Sequence, residues 1–157
     1  NPTDFYPSYI QTYVERDVRQ VRNITDLALF QKFLKLCAGR VGQLLNVSSL
    51  ASDCGVSQAT TREWLSLLEM SFIITLIKPH HKNFNKRLVK MPKIYFYDTG
   101  LLCSLLDITS PKQLDTHYAR GAIFENFILL ELIKDSFNKG HQSHIYFWRD
   151  SNGWFER

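Results

Sequence analysis

The sequence predicts a mainly α-helical fold with one β-hairpin, an α+β class, from three observations. Apolar residues recur at helical spacing through most segments before residue 72. A pair of short helices joined by a glycine turn lies among these segments. Two runs rich in β-branched and aromatic residues, 72–77 and 94–97, follow it on either side of a polar segment. This order indicates a winged helix-turn-helix domain, which we assign to residues 25–107.

The first two helices are predicted from their apolar stripes. Between residues 9 and 21 the apolar positions follow a helical period, so residues 1–24 are predicted to be a helical connector. Asp26 can cap the next helix, and Gly39 can end it. The chain begins at Asn1 rather than Met, without a signal peptide. We therefore expect the sequence to be a piece of a longer protein.

The helix pair is predicted from local signals. Ser48 or Ser49 is expected to start its first helix, Gly55 to supply the turn, and Ser57 to cap the second helix. Trp64 falls on the inner face of the second helix, which predicts a core position. The outer face offers candidate contacts to nucleic acid or a partner, namely Gln58, Thr60 and Arg62.

The predicted wing, residues 78–93, contains all of the excess positive charge. It has six basic residues and no acidic one, whereas the rest of the chain has 13 basic and 15 acidic residues. Such a patch attracts phosphate or an acidic protein surface, but a solvated loop has the same composition. Phe84 could stack on a base or anchor the loop in the core. The candidate contact residues of the wing are Lys78, Lys82, Phe84, Lys86, Arg87, Lys90 and Lys93.

A second unit is predicted to begin at residue 119, after the last helix of the first domain and a linker. Residues 98–100 lead into an apolar helix at 101–106, and a change of composition predicts a linker at 108–118. An apolar helix at 119–134 and a strand at 144–148 follow. Because one helix and one strand bury too little surface to fold alone, this last part is either a truncated domain or a segment packed on the first domain.

Composition restricts the class of protein. No uncharged stretch reaches the roughly 18 residues that a membrane span needs, so we expect no membrane partner. The three cysteines, Cys37, Cys54 and Cys103, are widely spaced in apolar surroundings. This pattern is typical of buried free thiols in a reducing compartment, and we expect a cytoplasmic protein.

Several motifs resemble a known family. The chain is similar to the uncharacterised domain that follows the ATPase core in a group of bacterial and archaeal AAA+ ATPases. The resemblance runs over nearly the whole chain, and its most specific part is the string from Pro92 to Leu101. The motifs are Tyr13-Val14-Glu15-Arg16-Asp17-Val18, Lys86-Arg87-Leu88, Pro92-Lys93-Ile94-Tyr95-Phe96-Tyr97-Asp98-Thr99-Gly100-Leu101, Gly121-Ala122-Ile123-Phe124-Glu125-Asn126 and Tyr146-Phe147-Trp148-Arg149-Asp150.

The resemblance implies an ATPase core before Asn1, which would bind ATP and magnesium. It also implies that residues 119–157 start a fold similar to restriction-endonuclease-like nucleases. Glu125 matches the helical metal position of that fold, but the later Asp and Glu-x-Lys positions have no match before Arg157. No phosphate-binding loop occurs in the sequence. We therefore expect neither a cofactor nor catalysis in these residues, and we expect Glu125 to form a structural salt bridge or a helix-terminus contact.

Three hypotheses of function follow. The first is a non-catalytic module of an AAA+ ATPase, with its own ATPase core and DNA or another protein as partners. The second is a free-standing winged-helix transcription regulator, which the absence of a dimerising heptad pattern disfavours. The third is a fragment of a metal-dependent nuclease, which would need further carboxylates.

Overall fold

The computed structural model describes residues 2–10, 12, 26–80, 91–140 and 145–148. It is mostly helical with a two-stranded antiparallel hairpin, which confirms the predicted α+β class. The helices and strands are α1 Pro2–Tyr9, α2 Leu27–Ala38, α3 Val47–Cys54, α4 Gln58–Met70, β1 Ile74–Ile77, β2 Lys93–Phe96, α5 Thr99–Leu105, α6 Pro111–Thr116 and α7 Arg120–Asn138.

Short polar side chains start the helices of the first half. Asp26 accepts a hydrogen bond from the Leu29 N–H at the start of α2, and Ser57 accepts one from the Thr60 N–H at the start of α4, as predicted. Gly55 adopts the expected left-handed conformation, with φ 86°. The predicted start of α3 is wrong, because Asn46 rather than a serine caps this helix.

The hairpin pairs Ile74 with Phe96 at one end and Ile77 with Lys93 at the other. The first strand begins two residues later than predicted, because Phe72 has a left-handed backbone (φ 53°) that an extended strand excludes. A further segment between α2 and α3 extends the sheet, since Val41 and Leu44 form isolated bridges to β2. This third segment was not predicted from the sequence.

One hydrophobic core joins both halves of the described chain. Phe30, Phe33 and Trp64 pack together at its centre, and Trp64 is only 8% exposed, as predicted. Ile123, Leu130 and Ile133 of α7 belong to the same core. The last long helix therefore packs on the first part of the chain.

Other predicted boundaries differ from those observed. The first helix was expected at residues 9–21, but α1 ends at Tyr9, and residues 13–25 lie outside the described part. The predicted linker contains α6, which starts at Pro111. In place of the predicted strand at 144–148 there is one isolated bridge, between Pro79 and Phe147, while His144 is outside the described residues. Among the described helices, none is long and apolar enough to cross a membrane.

Candidate functional site

A surface at the end of the hairpin where the connection leaves β1 is built by backbone pairing. After β1, Lys78 and His80 pair with a segment beyond α7: the Phe147 N–H donates to the Lys78 carbonyl (3.2 Å), and the His80 N–H donates to the Phe147 carbonyl (2.7 Å). Pro79 is buried and Phe147 is half-buried, so alternate residues of both segments point outward. The exposed residues on this surface are Lys78, His80, Tyr146 and Trp148.

The rings on this surface contact one another. The His80 and Trp148 rings are stacked, with centroids 5.2 Å apart and planes at 20°. Tyr146 meets His80 edge to face, with centroids 6.1 Å apart. Trp148 remains 55% exposed in this arrangement. We call His80, Tyr146 and Trp148 the aromatic cluster.

Lys78 supplies positive charge beside the aromatic cluster, and further basic residues follow it in the sequence. Lys78 is exposed and lies near Glu69. Burial raises the pKa of the Glu69 carboxyl, whereas the Lys78 ammonium and a backbone hydrogen bond at Leu76 act in the opposite direction. Five predicted contact residues lie outside the described part and stay predictions: Lys82, Phe84, Lys86, Arg87 and Lys90.

Lys93, at the other end of the predicted wing, turns toward the protein. Its side chain is only 12% exposed, its ammonium lies 3.1 Å from Glu125 Oε1, and it lies over the Phe147 ring. The Tyr95 hydroxyl donates a hydrogen bond to the same Glu125 oxygen. Burial, followed by the Glu125 carboxylate, raises the pKa of Tyr95 well above its ordinary value. The expected structural salt bridge of Glu125 is thus confirmed, and Lys93 is the least accessible of the described wing cations.

The neighbouring Asn126 binds the outer edge of β2. Its side chain is fully buried; Oδ1 accepts from the Phe96 N–H at 2.7 Å, and Nδ2 donates to the Phe96 carbonyl at 3.1 Å. The same Nδ2 lies 3.3 Å from the Thr99 hydroxyl. The amide therefore takes the place that a neighbouring strand would fill.

The Asp98-Thr99-Gly100 motif joins three helices. Asp98 caps α5 and accepts a hydrogen bond from the Tyr6 hydroxyl of α1. A side chain at Gly100 would overlap the Tyr6 ring unless that ring moved, so glycine leaves the room that Tyr6 occupies. Together with the contact of Thr99 to Asn126, these contacts give the motif a structural role.

The outer face of the helix pair makes local contacts. Arg62 donates to Gln58 Oε1 at 3.2 Å, and Gln58 Nε2 lies 3.4 Å from the Ser48 hydroxyl. Thr60 is half-buried, and its hydroxyl lies 2.9 Å from that of the capping Ser57. Gln58 and Arg62 therefore share one exposed surface, whereas Thr60 belongs to the helix cap.

An exposed apolar ridge runs along α7. Phe124, Ile128 and Leu132 are spaced four residues apart and are 64%, 43% and 54% exposed, and Phe127 beside them is 47% exposed. Residues at this spacing form a continuous row on one side of a helix. An apolar helix was predicted here, but its sequence pattern did not separate this second apolar face from the buried one. We call Phe124, Phe127, Ile128 and Leu132 the α7 ridge.

Two further features bear on metal or small-molecule binding. A shallow groove of about 380 Å³ lies between β1 and the C-terminal half of α7, with Leu76, Ile133 and Phe137 among its walls. In the part of the chain that the structure describes, there is no group of three or more His, Cys, Asp or Glu residues that could hold a metal ion.

Comparison with known proteins gives a family. Residues 1–112 match the family model described as a domain of unknown function, DUF8612. The chain belongs to the DUF8612 family. Residues 120–156 match a second model of the same kind, DUF4143. No solved structure matches the chain significantly.

Two relatives of this DUF8612 protein are longer mycobacterial proteins. One is the uncharacterized protein Rv2008c of Mycobacterium tuberculosis and the other is the uncharacterized protein Mb2031c of Mycobacterium bovis. Each is 33% identical over 141 residues, which cover 90% of this chain and 31% of the relative. The chain thus spans about a third of the length of these relatives.

The two matched regions of the DUF8612 chain are in direct contact. The first runs from α1 into α6, and the second holds α7 and the aromatic residues 146 and 148. The hydrogen bonds of Asn126 to Phe96 and the ion pair of Glu125 with Lys93 connect the regions. The candidate surface at the end of the hairpin also takes residues from both.

Proposed function

We propose that this chain is a non-catalytic module of a longer prokaryotic AAA+ ATPase, and that it binds nucleic acid through the end of its hairpin where the connection leaves β1. The resemblance to domains that follow AAA+ cores supports the ATPase context, and so does the greater length of the relatives. ATP and magnesium would bind the core, outside these residues. The module itself supplies a charged and aromatic contact surface.

A winged-helix assignment is supported by the order and pairing of the elements. Helix α2 is followed by a bridging segment at 41–44, the helix pair α3 and α4, and the hairpin. The two strands are antiparallel, and the basic connection between them begins directly after β1, with Lys78 and His80. In a winged helix this connection is the wing.

The observation that carries the proposal is the surface at the hairpin end. It presents Lys78 and the aromatic cluster on one face, at the point where the sequence continues into Lys82, Lys86 and Arg87. Cations attract the phosphate backbone regardless of base sequence, and aromatic rings contact bases. Neighbouring cations and exposed rings favour nucleic acid over an acidic protein surface.

The contacts of Glu125 favour binding over nuclease chemistry. One carboxylate oxygen accepts from Tyr95 and pairs with Lys93, and both contacts hold α7 on β2. A catalytic divalent cation would compete with an ammonium for this oxygen. We therefore assign Glu125 to the structure of the module.

Neutralising Lys82, Lys86 and Arg87 together, each to Gln, should weaken binding to nucleic acid and reduce its dependence on salt. Each lost duplex phosphate contact should make the slope of log affinity against log salt shallower by about 0.9. Sequence preference should change little, because phosphate contacts do not read bases. Titrations of labelled duplex and single strand at several salt concentrations measure the slope.

The control removes the same charge elsewhere. Lys112, Lys134 and Lys139 are exposed on α6, on α7 and just after α7, and their joint replacement by Gln should leave the slope nearly unchanged. Equal effects of the two triple variants would mean that net charge alone drives binding. An unchanged slope in the wing variant would contradict the proposed nucleic-acid contact.

A second candidate role is docking onto the rest of the longer protein, and the α7 ridge favours it. Exposed apolar side chains that form a row fit the groove of another helix or the face of a sheet. The ridge lies in the second matched region, and the relatives have about two thirds of their length outside the aligned part. We propose that this remaining polypeptide covers the ridge.

Replacing Phe124 and Leu132 together by Ser should affect the long and the short protein differently. In this chain alone, both side chains are mostly exposed, so the free energy of unfolding should change by less than about 1 kcal/mol. In the longer protein, loss of two covered side chains should cost about 3–6 kcal/mol. Denaturant unfolding of both forms gives the comparison.

Each other outcome identifies a different occupant. A large loss in the short chain would mean that the ridge is already packed within it. A concentration-dependent dimer that the double substitution dissociates would mean that a second copy covers the ridge. Glu131→Gln, an exposed change on the same helix, should be neutral in both forms.

A further inference from the structure

We infer that the aromatic cluster is a stacking platform for an unpaired nucleobase, so that the module prefers single-stranded to duplex nucleic acid. This inference rests on the proposed nucleic-acid contact of the hairpin end and specifies its ligand. The chemistry recognised is a flat base attached to a phosphate backbone, which both DNA and RNA supply.

One face of the Trp148 ring is open to a base. His80 covers one face of its ring, with the planes within 20° of parallel, yet the side chain is 55% exposed. Most of the exposed area must therefore come from the other face and the edges. A base that stacks there would extend the His80 and Trp148 stack by one ring, and such contacts tolerate any base because every base has a π face.

The platform is fixed in position before a ligand binds. Two backbone hydrogen bonds connect the segments that carry His80 and Trp148. Between Tyr146 and Trp148, the half-buried Phe147 anchors the segment, and the Lys93 ammonium lies 5.6 Å from its ring centroid. Because the rings are already ordered, binding loses little conformational entropy.

Positive charge lies on the same face as the platform. Lys78 lies on the same face as Trp148, and the six basic residues of 78–93 begin with it. Glu69 lies near Lys78 and offsets part of its charge. In a duplex, the base faces are already stacked inside the helix, so the cations can reach phosphate while the platform remains empty. A single strand can engage both.

Trp148→Ala should weaken binding to a single strand by about ten- to a hundredfold, the range measured for loss of one base stack. Duplex affinity and the salt slope should stay as in the parent protein, because no cation is removed. Titrations use oligothymidine and oligouridine of about 12 nucleotides and a matched duplex. The two single strands distinguish DNA from RNA as the source of the base.

Fluorescence gives an independent readout. In a Trp154→Phe background, the remaining indoles are Trp148 and the buried Trp64, so quenching by a single strand reports stacking on Trp148. Trp148→Phe should retain most of the affinity, because it keeps a ring. Phe5→Ala, which removes a ring of similar exposure on α1, should leave binding unchanged. His80→Ala provides a second test, with a smaller expected loss.

The outcomes distinguish a failure of the stacking platform from a failure of the proposed nucleic-acid binding. If the triple wing variant weakens binding while Trp148→Ala and His80→Ala do not, the platform is wrong and the nucleic-acid contact stands. If Trp148→Ala weakens duplex and single strand equally, the preference for unpaired bases is wrong. If the parent protein binds neither ligand at low salt, the proposed function fails and the platform fails with it.

Discussion

Trp64→Ala should lower the free energy of unfolding by about 3–5 kcal/mol, the range found when a large aromatic side chain is removed from a core. Trp64 is 8% exposed and meets Phe30 and Phe33 edge to face, each with centroids 5.2 Å apart. Removing its ring leaves a cavity between α2 and α4 and eliminates both aromatic contacts.

The matched control is Gln58→Ala on the outer face of the same helix. Gln58 is exposed, and its hydrogen bonds to Ser48 and Arg62 compete with water, so the change should be below about 0.5 kcal/mol. Denaturant unfolding followed by circular dichroism compares the variants with the parent. Equal midpoints for Trp64→Ala and Gln58→Ala would mean that the inner and outer faces of α4 have been assigned wrongly.

The helix pair was predictable because its signals are local. Caps and turns depend on the few residues around them, so Asp26, Gly55 and Ser57 could be recognised without knowledge of the fold. The inner face of α4 follows from a repeat of about 3.6 residues. Asn46 was missed because two serines behind it have similar capping propensity, and the backbone geometry chose between them.

Pairing between distant segments could not be derived in this way. Val41 and Leu44 bridge to β2, but residues 41–45 carry no strand-like alternation that would indicate an edge partner. The same limit applies to the candidate site. The charge of the wing is visible in the sequence, whereas the contact of His80 with Trp148 depends on a pairing across almost seventy positions. The aromatic run at 144–148, which predicted a strand, was the available signal, and it did not identify the partner.

Asn126→Leu should destabilise the chain by about 3–5 kcal/mol, although it adds apolar surface to a buried position. The backbone groups on the outer edge of β2 have two kinds of hydrogen-bond partner. At Ile94 the segment 41–45 supplies them, since Gly42 donates to the Ile94 carbonyl and Ile94 donates to the Gln43 carbonyl. Two residues further, Asn126 supplies both bonds to Phe96. Leucine leaves that N–H and carbonyl buried without these partners, and each such group costs about 1–3 kcal/mol.

Three comparisons test this reading of Asn126. Asn138→Leu makes the same chemical change at the exposed end of α7 and should be nearly neutral. Asn126→Asp keeps the acceptor for the Phe96 N–H but directs a buried carboxylate at the Phe96 carbonyl, so its folded-state pKa should rise. The free energy of unfolding that Asn126→Asp loses relative to the parent should therefore grow as pH rises through that pKa. It should shrink in acid, where a protonated oxygen can donate. Amide exchange at Phe96 should accelerate in Asn126→Leu and stay slow in Asn138→Leu. Equal stability of the two leucine variants would mean that the edge of β2 does not depend on this amide.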